Sequence, residues 1–170
     1  MTAASADLLV DAFGRIREVV EEVVSGLSPE ELAERPDDAA NSIGWLVWHL
    51  TRIQDDHVAG AAEAEQIWIS DDWYERFGLP FTADDTGYGH SRKEVAAVQD
   101  LSAQLLTGYH EAVHDNTVQY LAGIEDKDLK RVVDRAWSPP VTLGVRLMSV
   151  IADDLQHAGQ AAYVRGLLGR

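Results

Sequence analysis

Apolar residues in this chain recur every three or four positions over long stretches, and nowhere is there a sustained alternation of the kind a half-buried strand needs. In the first such stretch Leu8, Leu9, Ala12, Phe13, Ile16, Val19, Val20 and Val23 fall on one side of a helix. In the second, Ile43, Leu46, Val47, Leu50, Ile53 and Val58 do the same, and in the last so do Leu143, Leu147, Val150, Ala158, Ala161 and Leu168. A helix with one apolar stripe must bury it against another helix, so the pattern leads to an all-α, helix-on-helix architecture.

Turn and capping residues divide the chain. A first helix is expected from about Ser5, a candidate N-cap, to Val24. It is followed by Ser28, Pro29 and Glu31, which together form a capping box opening a short helix. A second long helix should start near Asn41 or Ser42 and reach about Ala64. Residues 68–91 then break the pattern with Gly78, Pro80, Gly87 and Gly89. Ser91 and Glu94 form another capping box, expected to open a third long helix that reaches about Leu121. Pro139 and Pro140 stop whatever precedes the fourth, for which Thr142 is the N-cap. The expectation is one domain over residues 1–170: a four-helix bundle with a long, aromatic-rich connection between its second and third helices.

The chemistry is narrowed by what the chain lacks. With no cysteine there is neither a disulfide framework nor a thiolate metal site, so any metal must be held by nitrogen and oxygen. No Gly-x-Ser-x-Gly elbow offers a serine nucleophile. A formal charge of -15 repels phosphate backbones and anionic lipid, so nucleic acid and membrane surfaces are not expected partners. Neither a signal-peptide pattern nor an 18-residue apolar run is present, and the expected location is the cytoplasm.

Against that background the stretch "DDLQHAGQAAYVRG", residues 153–166, is unusual, because it places two aspartates and a histidine on a helix with an apolar stripe. Asp153 and His157 are four residues apart, about 40° around the axis, and can grip one ion from a single helix. Asp154 is the alternative carboxylate. His49, at the edge of the second helix's stripe, is the third candidate. His57 lies inside that stripe but about 12 Å further along, too far to share an ion with His49. It is expected either to line the cavity or to donate to a neighbouring carbonyl or Asp. His90 sits in a loop, and His110 and His114 are expected on the wetter side of the third helix. Gln160, one turn beyond His157, and Arg165, which is able to hold a carboxylate, are substrate-binding candidates together with His57, with a structural cap or surface contact as the alternative for Gln160 and Arg165. Trp68, Trp73, Tyr74, Phe77 and Phe81 make the connection either a wall of a binding site, or packing, or the interface of a homodimer.

"SIGWLVWHL" followed by "DDLQHAGQAAYVRGLLG" resembles the DinB-like superfamily of small helical metalloproteins, which includes the metal-binding domain of mycothiol-dependent maleylpyruvate isomerases and related bacterial thiol transferases. The resemblance runs from the first helix through Leu168. It implies a four-helix bundle binding a divalent ion through a histidine of the second helix and a His-x-x-x-His pair of the fourth. His49 matches the first ligand and His157 the last, while Asp153 stands where the remaining histidine is expected. Two imidazoles and a carboxylate are a known facial set for a divalent ion, zinc or nickel first, with manganese or iron also admitted. The implied activity is a metal-dependent transferase or isomerase acting on a small-molecule substrate with a low-molecular-weight thiol such as mycothiol. A metal-dependent hydrolase and a non-catalytic interaction or sensor bundle are the alternatives.

Overall fold

The computed structural model describes residues 4–170, and four long helices dominate it: α1 (Ala4–Val24), α3 (Ile43–Ala62), α7 (Ala103–Ala122) and α8 (Leu143–Leu167). Short helices fill the connections: α2 (Pro29–Ala33), α4 (Ile67–Ser70), α5 (Trp73–Phe77) and α6 (Arg92–Ala96). α1 packs on α7 and α8, and α3 packs on the same two, so α1 and α3 lie diagonally across the bundle. α3 and α8 run antiparallel, since His49 meets His157 while His57 shares a recess with Arg146. Phe13, Ile16 and Val20 from α1, Trp48 and Leu50 from α3, Tyr109 and Val113 from α7, and Leu147 and Val150 from α8 meet in the core.

The caps act as the sequence implies. Ser28 with Glu31 forms the capping box of α2, and Ser42 and Thr142 accept from backbone N–H groups in the first turns of α3 and α8. The expected bounds of α3 hold to within two residues, and α8 starts directly after its expected N-cap, Thr142. Ser5 instead lies inside α1, where its hydroxyl donates to Asp126.

The third long helix differs from expectation. Ser91 and Glu94 do form a capping box, but the helix it opens, α6, lasts five residues. The chain then turns through Asp100, at φ 60, and α7 begins afresh under a new N-cap, Ser102. Val95, Val98 and Leu101 are buried, so the break folds apolar side chains inward that a continuous helix would have carried past the core. A small antiparallel hairpin, β1 (Val132–Asp134) and β2 (Val141–Thr142), also precedes α8, an element too short for period-two alternation to reveal.

The aromatic connection is packing. Trp68, Trp73 and Phe77 are buried, and Tyr74 and Phe81 are partly buried against the same core. Trp68, Trp73 and Phe77 surround Tyr109, Trp68 and Phe81 meet Trp48, and Tyr74 meets Trp68, at centroid separations of 5.1 to 6.5 Å. A polar clamp holds this layer to α3. Asp55 accepts from the backbone N–H groups of Ile67 and Trp68 at the start of α4 and from the Tyr109 hydroxyl. Arg52, fully buried, donates to Gln66 and to the carbonyls of Ala83 and Asp85. Such charges are tolerated in a core only when paired in this way. The clamp fixes where residues 82–91 run, directly over α3.

His110 and His114 are on the buried face of α7, not its wet side. They share the spacing of Val113, Thr117 and Leu121, and α1 and α3 close over that face. No described helix is long and apolar enough to cross a membrane.

Candidate metal centre

His49, Asp153 and His157 converge where α3 meets α8, with one potential ligand atom from each lying within 4.8 Å of the others. His49 is buried at 4% exposure, its ring stacked on Trp45 at 4.6 Å. The rings of His49 and His157 are 4.7 Å apart, and Nε2 of His157 lies 3.7 Å from Oδ1 of Asp153. Oδ2 of Asp153 is buried without a hydrogen-bond partner, an arrangement that a protein avoids unless something else satisfies the oxygen.

The two imidazoles are oriented alike. His49 Nδ1 lies 2.5 Å from the Thr86 carbonyl, and His157 Nδ1 lies 2.9 Å from Gln160 Oε1. Each Nδ1–H therefore donates to an oxygen outside the cluster, which leaves the Nε2 lone pair for the cluster itself. Burial pushes the His49 pKa down, and neighbouring His157 adds to the effect, against the Thr86 bond that raises it. The neutral form that results is the one that ligates metals.

The loop holding Thr86 is locked in place. Trp45 Nε1 donates to His90 Nδ1 at 3.1 Å, His90 Nε2–H donates to the Asp85 carboxylate at 3.0 Å, and Asp85 accepts from the Gly87 backbone N–H at 2.7 Å. Gly87 has φ 85, and a Cβ there would come within 2.9 Å of both His49 Nδ1 and Trp48 Cζ3. Only glycine lets the backbone approach the imidazole this closely. Sequence reasoning missed Trp45, Asp85, Thr86, Gly87 and His90 as supports of the site. The dense Gly87-x-Gly89-His90 run was the available signal.

The remaining candidates separate clearly. Asp154 is fully buried and does not join the converging group, neither of its oxygens is hydrogen-bonded, and burial followed by the nearby Asp153 pushes its carboxyl well above the usual range. Gln160 is engaged with His157. Arg165 donates through Nη1 to the carbonyls of Glu22, Val23 and Ser25, capping the C-terminus of α1, so the structural alternative describes it. His57 is half-buried beside Asp56 at 3.3 Å and faces a cleft, in keeping with its inability to join His49 on one ion.

A helical bundle with two histidines and a carboxylate gathered between two of its long helices is the class of protein these features define. The chain matches the Mycothiol-S-transferase family over residues 8–169 and belongs to that family, in agreement with the DinB-like resemblance. A solved structure of a conserved protein from Enterococcus faecalis is similar to it over 100% of both chains, at 32% identity and a TM-score of 0.92. No curated protein matches the chain significantly.

Proposed function

We propose that the protein is a divalent-metal-dependent S-transferase or isomerase that uses a low-molecular-weight thiol, mycothiol first among them, with His49, Asp153 and His157 as the metal ligands. The observation that carries the reading is the shared orientation of the two histidines: both Nδ1 atoms are tied to oxygens outside the cluster, which leaves both Nε2 lone pairs free, and Nε2 of His157 lies 3.7 Å from Oδ1 of Asp153. The donor set fits a borderline divalent ion, zinc or nickel ahead of manganese or iron.

A divalent ion held there would stabilise a thiolate over the thiol and so supply a nucleophile near neutral pH. The protein's own groups do the rest. His49, Asp153 and His157 would hold the ion, and Thr86 and Gln160 fix the two imidazoles with Nε2 available to it. Trp45, stacked on His49 and edge-on to His157, walls the cluster on one side and limits water there.

Cobalt-substituted protein tests this reading. Addition of mycothiol should produce a sulfur-to-cobalt charge-transfer band and release a proton. No spectral change with mycothiol, bacillithiol or glutathione, together with ester or amide turnover, would overturn it in favour of a hydrolase.

A further inference from the structure

The outward face of α8 carries no charge. The charged residues of this helix are all turned elsewhere: Arg146 to Asp134 of the hairpin, Asp153 to the metal cluster, Asp154 into the core, and Arg165 onto the carbonyls that end α1. What remains in solvent is largely apolar. Val145, Met148, Leu155, Tyr163 and Leu167 are each 46% exposed or more, and they make up five of the nine large hydrophobic side chains left exposed among the described residues. One helix therefore holds most of the apolar surface that the fold leaves without a partner.

That face has an internal order. Val145, Met148, Ala152, Leu155, Gly159 and Ala162 are all exposed, and they follow one another at alternating steps of three and four, the spacing by which one helix meets another along a seam. The seam is about 26 Å long. When a second α8 is laid antiparallel on it, each large residue meets a small one. Val145 opposes Ala162 of the partner subunit, Met148 opposes Gly159 of the partner subunit, and Leu155 opposes Ala152 of the partner subunit. A parallel arrangement would instead set Met148 on its own copy and leave a gap at Gly159, which packs worse. Gly159 is a separate indication of close approach. It lies well inside α8, where glycine weakens a helix relative to alanine, and a Cβ there would meet nothing within 4 Å of its own chain.

Charge selects the occupant. A basic partner gains nothing from a face without carboxylates, and an anionic membrane is repelled by a chain of formal charge -15. Two copies of this chain also repel one another, and do so least across an uncharged strip. We propose that the protein forms a two-fold symmetric dimer in which α8 packs antiparallel on α8 of a second copy. Asp153 and His157 leave α8 on the side that faces α3, so the dimer stands independently of the metal reading.

Sedimentation equilibrium of the full chain tests the proposal. The parent should dimerise within about 1–200 µM, and pairing should tighten as NaCl rises from about 50 to 500 mM, because screening relieves like-charge repulsion. Leu155→Glu and Gly159→Met should each weaken pairing by about 30-fold or more. A side chain at 159 has open space in its own chain, so Gly159→Met should keep the parent's helical circular dichroism, which separates lost pairing from lost folding. Ile69→Glu, an exposed apolar site in the aromatic connection, should pair like the parent. The chain has no cysteine, so Val145→Cys and Ala162→Cys report the register: oxidation should link the two variants when mixed, and neither by itself. A parent that stays monomeric throughout, α8 variants that pair like the parent, loss of pairing in Ile69→Glu, or pairing that weakens with salt would overturn the proposal. Val145→Cys linking to its own copy would overturn the antiparallel arrangement.

Discussion

Replacing Gly87 with alanine tests whether the loop over α3 supports the metal cluster or merely covers it. The new Cβ meets two obstacles. Its backbone, at φ 85, lies in a region that costs a residue with a Cβ about 1–3 kcal/mol. The methyl group also comes within 2.9 Å of His49 Nδ1 and Trp48 Cζ3, and both of those rings are buried and cannot swing aside. The loop has to lift, stretching the 2.5 Å contact between His49 and Thr86, a hydrogen bond worth about 0.5–1.5 kcal/mol. The sum is on the order of 2–4 kcal/mol, or a fall in Tm of roughly 4–16 °C for a chain of this size. Freed from Thr86, His49 should also lose its fixed orientation and lower zinc affinity by about 10–100-fold. Gly89→Ala is the control, because Gly89 also has positive φ (76) but a Cβ there meets nothing within 4 Å, so only the backbone term applies. Differential scanning fluorimetry of the metal-free proteins and a competitive zinc titration measure both effects. Equal Tm and equal zinc affinity in the two variants would refute the reasoning.

Two further outcomes follow from particular residues. Asp153→His should shift metal preference toward nickel and zinc relative to manganese, because imidazole is a softer donor than carboxylate, and competitive loading read by elemental analysis checks it. Unchanged ratios would mean that Asp153 only orients His157. Burial, with smaller contributions from His114 and Arg17, pushes His110 down from 6.5 to about 3, so across that window the unfolded chain holds a proton that the folded chain does not. Stability associated with neutral His110 is therefore present above 6.5 and is lost as pH falls toward 3, and His110→Leu should flatten urea midpoints against pH there by about one proton's worth of slope. A variant with the parent's slope would contradict this account of His110.

Much of the bundle can be read from periodicity and caps alone. Ser28, Ser42 and Thr142 lie where side-chain oxygens meet exposed N–H groups, a local interaction that neighbouring residues suffice to specify. The convergence of His49, Asp153 and His157 was also legible, because residues spaced i and i+4 share a face and a histidine beside an apolar stripe must lie near a helix interface. Three things were not. The restart of α7 at Ala103 turns on Asp100 adopting positive φ, which a sequence of helix formers conceals. The burial of His110 follows from α1 and α3 both closing on α7, a tertiary fact that overrides side-chain polarity. The Thr86–His49 bond joins residues 37 positions apart through a loop whose path is set by the Arg52 and Asp55 clamp, and no local spacing encodes that path.

The metal content of purified protein beside that of His157→Ala tests the central claim most directly. His157 is partly exposed at the cluster, so its removal should leave the bundle folded. The parent should carry about one divalent ion per chain and the variant essentially none, with unchanged helical circular dichroism. A variant that retains as much metal as the parent would place the ion elsewhere and contradict the assignment of His49, Asp153 and His157 as its ligands.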